Sequence, residues 1–296
     1  MYDIIIIGGG CAGLTAAVYS ARAGKSVLVI EGETFGGQIT AAPKIENYPA
    51  IGSISGMEFA DSLFSQAEHA RAQFEFSTVT EITDGEIKIV KTEDGEFSAR
   101  SVIIASGSKH RKLEIEGEER FAGHGVSYCA VCDGAFFKGK TAVVAGGGNT
   151  AFSDALYLSA ICEKVYLIHR RSTFRADNVL IERARNCNNI EIITDTVIKQ
   201  LIGNDSLTGI ITESNSMQSE IKTDALFAAI GRIPENEIFK NIVELDSDGY
   251  IIAGEDCRTS AKGIFAAGDC RRKSVRQLTT AAADGACAAS AACAEV

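Results

Sequence analysis

The hydrophobic positions of the chain come in two kinds of run, and the same arrangement of them occurs twice. Residues 3–7 are a short continuous block of isoleucine behind one aspartate, the pattern of a parallel strand buried on both faces. Glycines follow at once, then a helical stretch over 14–23 closed by Gly24, then a second strand over 26–30 that ends on Glu31. The second occurrence opens with a strand at 141–145 and a glycine turn at 146–151. It continues with a helix through Ala160 and a strand at 165–168 that ends on His169, Arg170 and Arg171. The last quarter returns to the style of the first. Strands are expected at 250–253 and 263–267, with Gly268-Asp269 before a final helix. The alanine-rich segment 281–294 suits a helix packed closely against something flat. The pattern therefore predicts an α/β chain with two dinucleotide-binding units. Residues 1–112 and 244–296 form one domain, and 113–243 are inserted as the other.

Each glycine turn carries chemistry. In the first, Gly8, Gly10 and Gly13 permit a tight turn, close approach of backbone to a pyrophosphate, and close packing of helix on strand. Cys11 and Ala12 complete it. The helix N-terminus behind the turn offers unpaired N–H groups and the positive end of its dipole to phosphate. Glu31, at the end of the next strand, can accept both ribose hydroxyls. In the second turn Gly146, Gly147, Gly148, Asn149, Thr150 and Ala151 follow the same order, but the acid is replaced by His169, Arg170 and Arg171, with Arg175 nearby. Guanidinium groups pair with a 2′-phosphate that a carboxylate would repel, so this turn should prefer NADPH to NADH. An acid-ended and a base-ended unit in one chain imply two nucleotides: FAD on the first and NADPH on the inserted one. Gly268-Asp269 is a third candidate contact, to a flavin ribitol or pyrophosphate. The alternatives are a glycine-rich turn without ligand and a strand end that happens to be basic.

Composition narrows the field. The 296 residues are long enough for two domains, and 46% hydrophobic with 23% charged residues is the balance of a globular protein. A net charge of −10 argues against nucleic acid, whose phosphates need clustered Lys and Arg. The basic run Arg271-Arg272-Lys273 reads equally as a solvated surface. The apolar start is too short for a signal peptide or membrane span, so a cytoplasmic chain is expected. Nine cysteines are an odd number, and most are expected to be small buried hydrophobes.

One cysteine pair, Cys129 and Cys132, has the spacing that lets two thiols close a small ring. A helix starting at the first would lower its pKa, and Asp133 adjoins the pair to move a proton during thiol–disulfide exchange. Half of a zinc site and an inert buried pair are the alternatives; a zinc site needs two further ligands at suitable spacing.

At this point the residues resemble the bacterial low-molecular-weight thioredoxin reductases. The segments that carry the likeness are the turn at 8–13, Gly36-Gly37-Gln38, Glu46-Asn47-Tyr48-Pro49 and the 125–134 stretch around the dithiol. Further on they are the second turn, residues 169–176, 229–232, 266–269, and Arg276-Gln277. The resemblance implies two Rossmann-like three-layer dinucleotide-binding domains, the NADPH domain inserted in the FAD domain. It implies that NADPH reduces the flavin, that the flavin opens the Cys129–Cys132 disulfide, and that the dithiol reduces thioredoxin. Cys132 matches the flavin-proximal sulfur, Cys129 the thiol that attacks thioredoxin, and Asp133 the acid/base. Gln38, Asn47 and Gln277 match flavin-contacting positions, and Arg276-Gln277-Leu278 opens the last helix toward the flavin. A homodimer and a swinging inserted domain are implied likewise. The chain departs from the pattern at Cys11, where proline is usual and a thiol is oxidisable, and at His124, where arginine often receives thioredoxin. A relative acting on another thioredoxin-like or glutaredoxin-like partner is the alternative reading. Phe136-Phe137 reads either as an apolar docking patch or as core.

Overall fold

The computed structural model describes residues 1–42 and 44–296. In chain order the first elements are β1 (Tyr2–Ile7), α1 (Cys11–Arg22), β2 (Val27–Glu31), α2 (Gly56–His69), β3 (Gln73–Phe76), β4 (Val79–Thr83), β5 (Lys88–Thr92), β6 (Glu96–Ile104) and β7 (Ser108–His110). Next come α3 (Glu118–Phe121), β8 (Val126–Ser127), α4 (Ala130–Asp133), β9 (Thr141–Ala145), α5 (Asn149–Ser159), β10 (Lys164–Ile168), α6 (Asn178–Arg185) and β11 (Ile190–Ile193). Then follow β12 (Val197–Gly203), β13 (Leu207–Ser214), β14 (Met217–Lys222), β15 (Ala225–Ala228), β16 (Arg232–Pro234), β17 (Ile264–Ala266) and α7 (Leu278–Cys293).

Two compact units result: Met1–Lys109 with Ile233–Val296, and His110–Arg232. The return to the first unit comes eleven residues earlier than the 243/244 boundary expected from the pattern. The cause is packing, because Phe239 and Val243 are buried in the first unit's core beside Ile5, Ile30 and Ile251.

The first unit is built on the order β3-β2-β1-β6, all parallel, with β17 parallel to the end of β6. Strand β6 changes partner along its length: residues 96–99 pair with antiparallel β5, and 102–104 with β17. Along β1 the isoleucines alternate between two cores. Ile4 and Ile6 face α1 and α7, while Ile5 and Ile7 face Leu28, Ile30 and Val90. A strand covered on both faces has no polar side, which is why its sequence is a continuous apolar run. The alanine-rich α7 packs on helix α1 as well as on the sheet. A Cβ on Gly285 would lie 2.3 Å from the Ala12 carbonyl oxygen, so only small residues allow this approach. The strand expected at 250–253 does not form. Ile251 makes single bridges to Leu245 and Arg271, and the chain turns at Gly249, whose φ is +85°.

In the second unit the parallel sheet runs β11-β10-β9-β15-β8, and an antiparallel sheet runs β12-β13-β14. Ala142 and Val144 of β9 pack toward α5 and α6. Val143 and Ala145 pack toward Leu201, Leu207 and Ile210 of the antiparallel sheet. The unit therefore has three layers: helices, parallel sheet, antiparallel sheet. No helix among the described residues is long and apolar enough to cross a membrane.

Candidate active site

The first glycine turn joins the end of β1 to α1. Gly8 has φ +104°, and a Cβ there would lie 2.3 Å from the Ala105 carbonyl oxygen. At Gly13 a Cβ would lie 1.8 Å from the Gly8 oxygen, so the first turn of α1 can sit this close to β1 only without a side chain. Gly10 is the N-cap of α1 and no side chain caps the helix, which leaves its first N–H groups for an anion. Space opens at Gly10, where the nearest atom to a built Cβ is 3.9 Å away. Glu31 ends β2 beside this turn and accepts from Gly9 N at 2.6 Å and Glu33 N at 2.8 Å. A carboxylate has about four acceptor positions, so the two remaining suit ribose hydroxyls. An uncapped helix end, an open floor and a fixed acid together fit the pyrophosphate and ribose of a dinucleotide.

The other first-unit candidates gather around that turn. Gly36, with φ +101°, donates its N–H to Gly9 O at 2.8 Å, and a Cβ on Gly37 would lie 3.4 Å from Gly10 Cα. Gln38 follows in a 3-10 turn and its amide donates to Ser108 O. From the far end of the sequence, Gly268 (φ +82°) comes against Ala12, and the Cys11 thiol donates to Leu278 O at 3.5 Å. Asp269 follows Gly268 in the 3-10 turn 268–270. Asn47 Nδ2 donates to Gln277 Oε1 at 3.2 Å, bridging 230 positions of sequence. The Arg276 guanidinium lies 4.1 Å over the Tyr250 ring, and its Nε is buried with no hydrogen-bond partner among the described residues. Burial pushes the Cys11 thiol up to about 11, with neighbouring Asp269 adding to the rise against a lowering bond to Thr15. A buried neutral thiol is a poor nucleophile, which slows oxidation at this position.

The second turn follows β9. Gly146 (φ +156°) closes against Ala229 O and the Ala151 methyl, and Gly148 is the open, side-chain-uncapped N-cap of α5. Asn149 Nδ2 donates to Asp177 Oδ2 at 3.0 Å and Asp177 N returns to Asn149 Oδ1 at 2.8 Å, fixing the loop across the turn. Thr150 is exposed at the start of α5. Arg175 N donates to Gly147 O at 2.8 Å, which brings that arginine to the turn. Arg170, Arg171 and Arg175 are exposed, and none pairs with a carboxylate among the described residues. His169 differs from them. Its ring lies against Gly147, where a Cβ would fall 2.3 Å away, and its Nε2 contacts Thr173 O at 3.1 Å. Burial, with the three guanidiniums adding, lowers its pKa, so at neutral pH it is an uncharged wedge.

Cys129 and Cys132 form a disulfide, with Cα atoms 5.3 Å apart. Cys129 is the N-cap of the single-turn α4, and its sulfur accepts from Cys132 N at 3.2 Å. Once the pair is reduced, that N–H favours the Cys129 thiolate. Asp133 is half-buried, and burial raises its carboxyl above the ordinary range against a lowering bond from Ser127. A raised carboxyl holds a proton closer to working pH, as a general acid requires. Ser127 Oγ donates to Asp133 Oδ2 at 2.6 Å and accepts from Cys129 N at 3.1 Å. Phe136 is 38% exposed, whereas Phe137 packs edge-on to Phe227 at 5.8 Å, so the two neighbours divide between surface and core. His124 is exposed in a turn, and its carbonyl accepts from Leu207 N at 2.9 Å.

Reading the residues in sequence missed the support of this site. Ser127 stood among residues of the likeness without a role. Behind Cys129, Tyr128 donates to Glu118 Oε1 at 2.7 Å and stacks on His110 at 4.9 Å. Arg232 approaches His110 Nε2 at 3.1 Å. Glu118 is 3% exposed yet sits in the charged run 116–120, which signals surface rather than core. The cysteine expectation also needs correction: Cys11, Cys162, Cys257 and Cys270 are buried, but Cys287 is exposed and Cys187 and Cys293 are intermediate.

Two strand–glycine turn–helix units, one acid-ended and one base-ended, with a disulfide beside a half-buried acid, define a dinucleotide-dependent disulfide oxidoreductase. Residues 2–285 match the pyridine nucleotide-disulphide oxidoreductase family, and the chain belongs to that family. It is 42% identical over 296 residues to a thioredoxin reductase of Bacillus subtilis, covering 98% of this chain and 93% of that protein. It is also 42% identical over 295 residues to one of Treponema pallidum, covering 98% and 96%. Among solved structures, the thioredoxin reductase of Streptococcus pyogenes superposes with a TM-score of 0.95 at 40% identity, over 100% of this chain and 98% of that one. That of Giardia duodenalis gives 0.94 at 35% identity, over 98% and 97%.

Proposed function

We propose that the chain is a thioredoxin reductase that takes electrons from NADPH through FAD and the Cys129–Cys132 disulfide to thioredoxin. The observation that carries the reading is that disulfide with its half-buried Asp133, on the unit that also holds the base-ended turn. The first unit is the FAD domain and the second, inserted one the NADPH domain. FAD, when bound, supplies the two-electron relay between nicotinamide and disulfide. Gly8, Gly10, Cys11, Ala12, Gly13 and Glu31 would hold its adenosine and pyrophosphate. Gly36, Gly37, Gln38, Asn47, Gly268, Asp269, Arg276, Gln277 and Leu278 would hold the remainder. On the second unit, Gly146, Gly147, Gly148, Asn149 and Thr150 would cradle the NADPH pyrophosphate. Arg170, Arg171 and Arg175 would pair with its 2′-phosphate, with His169 as packing support.

Two electrons and two protons convert the disulfide to a dithiol. Cys132 would take the electrons that the flavin supplies, and Cys129 would attack the disulfide of thioredoxin. Cys132 then displaces thioredoxin from the mixed disulfide, and Asp133 delivers and recovers the proton. Val131 is 46% exposed, and with Phe136 it offers an apolar surface beside the sulfurs for the partner. We extend the reading to a cytoplasmic homodimer, consistent with seven unpaired cysteines in a reducing compartment.

The test uses the purified full chain. It should be yellow, NADPH should bleach it without oxygen, and thioredoxin with a disulfide dye should then sustain NADPH consumption. A flavin left oxidised by NADPH overturns the hydride-donor assignment. Equal use of NADH overturns the role given to Arg170 and Arg171, and a monomer by light scattering overturns the dimer.

A further inference from the structure

The basic run 271–273 reads in sequence as readily as a solvated surface as not, and two of its three charges lie inside. The side chains of Arg271, Lys273 and Asp284 are 12%, 8% and 9% exposed. Asp284 Oδ1 accepts from Arg271 Nη2 at 2.8 Å. Its Oδ2 accepts from Arg271 Nε at 2.8 Å, Lys273 Nζ at 2.8 Å and the backbone N–H of Gly268 at 2.9 Å. The two cations reach onward, Lys273 to Thr280 O at 3.3 Å and Arg271 to Ala253 O at 3.3 Å. Thr280 Oγ1 in turn accepts from Gln277 N at 3.0 Å at the start of α7.

One carboxylate therefore ties down three points of the segment 268–280, which between the 3-10 turn 268–270 and α7 has no regular structure of its own. Within the segment lie Gly268, Asp269, Arg276, Gln277 and Leu278. Asp284 is also the one charged residue of α7 and a poor helix former in an otherwise alanine-rich helix. A buried ion cluster is weak evidence for stability, because desolvation offsets most of the attraction. Local propensity and stability both argue against an aspartate here. Geometry argues for it.

We infer that Asp284 is a positioning residue for the dinucleotide site of the first unit: without touching the cofactor, it holds Gly268-Asp269 and the start of α7 where FAD requires them. The inference rests on the reading of that unit as the FAD domain. Removing the carboxylate leaves two buried cations facing each other and the Gly268 N–H without its acceptor. The cations then separate and carry the 268–280 backbone with them.

Release of FAD on dilution of the holoprotein, followed by free-flavin fluorescence, reads this directly. Asp284→Asn and Asp284→Ala should release FAD about tenfold faster than wild type, the loss of roughly one hydrogen bond to a charged group. Asp284→Asn with Lys273→Met restores the original net charge of the cluster and should recover most of the retention. Val243→Ala, which opens a cavity in the opposite core, is the control for general loosening: it should lower the unfolding midpoint and keep FAD. Wild-type retention in Asp284→Ala overturns the inference, and so does equally fast release from Val243→Ala at a matched unfolding midpoint. A wild-type chain that carries no FAD overturns the flavin reading beneath it.

Discussion

Ser127→Ala removes one oxygen that serves two groups at the dithiol. The hydroxyl donates to Asp133 Oδ2 at 2.6 Å and accepts from Cys129 N at 3.1 Å. Burial raises the Asp133 carboxyl, and the Ser127 hydrogen bond opposes that rise by favouring the ionised form. A hydrogen bond to a charged group contributes about 1.5–3 kcal/mol, and one pKa unit corresponds to about 1.4 kcal/mol. Deleting the hydroxyl should therefore raise the Asp133 carboxyl further above its ordinary range. The assay is the pH profile of thioredoxin-dependent NADPH oxidation at saturating NADPH. The limb belonging to Asp133 should move to higher pH in Ser127→Ala and be lost in Asp133→Asn. Superimposable wild-type and Ser127→Ala profiles would refute the idea that this hydroxyl tunes the acid. A shift that persists when Ser127→Ala is added to Asp133→Asn would refute the assignment to Asp133.

Two other outcomes follow from contacts at the turns and behind the disulfide. Gly13→Ala would put a methyl 1.8 Å from the Gly8 oxygen, so the purified variant should lose most of its bound flavin; a full flavin complement would show that the turn has slack. Burial, with the charge of Arg232 adding, lowers the His110 pKa to about 3, against about 6.5 when unfolded. The neutral form is thus favoured in the folded chain. Its stability contribution is complete above about 6.5 and is lost as pH falls toward 3. Urea midpoints measured across that window should fall less steeply for His110→Phe than for wild type, and equal slopes would sink the assignment.

How much of this was legible in sequence depends on how local each signal is. The strand–turn–helix openings are local: the apolar run of β1, the absence of side chains at Gly8 and Gly13, and the acid or base ending the next strand lie within about thirty residues, the span of one such unit. The disulfide pair lies within one helical turn. The misses are non-local. The run at Arg271 and Lys273 leaves surface and interior equally open because its partner Asp284 lies on the next helix, in a segment of alanines. Glu118 is the exception: the groups it accepts from, Leu113 N, Glu114 N and Tyr128, lie within ten residues, and its charged neighbours hide them. The segment 250–253 has the right composition for a strand, but it finds only single-residue bridges to pair with. Burial patterns predict what a side chain prefers, whereas partners at long sequence distance decide where it ends up.

The discontinuity of the first unit sets a timetable for synthesis. Every strand and helix of the second unit lies between His110 and Arg232, so that unit can close both of its sheets once this stretch has emerged from the ribosome. The first unit begins earlier and finishes later. Strand β6 waits for β17, and the face of β1 that carries Ile4 and Ile6 is covered only in part, by α1, until α7 arrives. At roughly 5–20 residues per second, the interval between emergence of β1 and of α7 is on the order of tens of seconds. During it, β1 is shielded from water on only part of its surface. The apolar run that makes the chain recognisable is thus also the part most exposed to misassociation while it is being made.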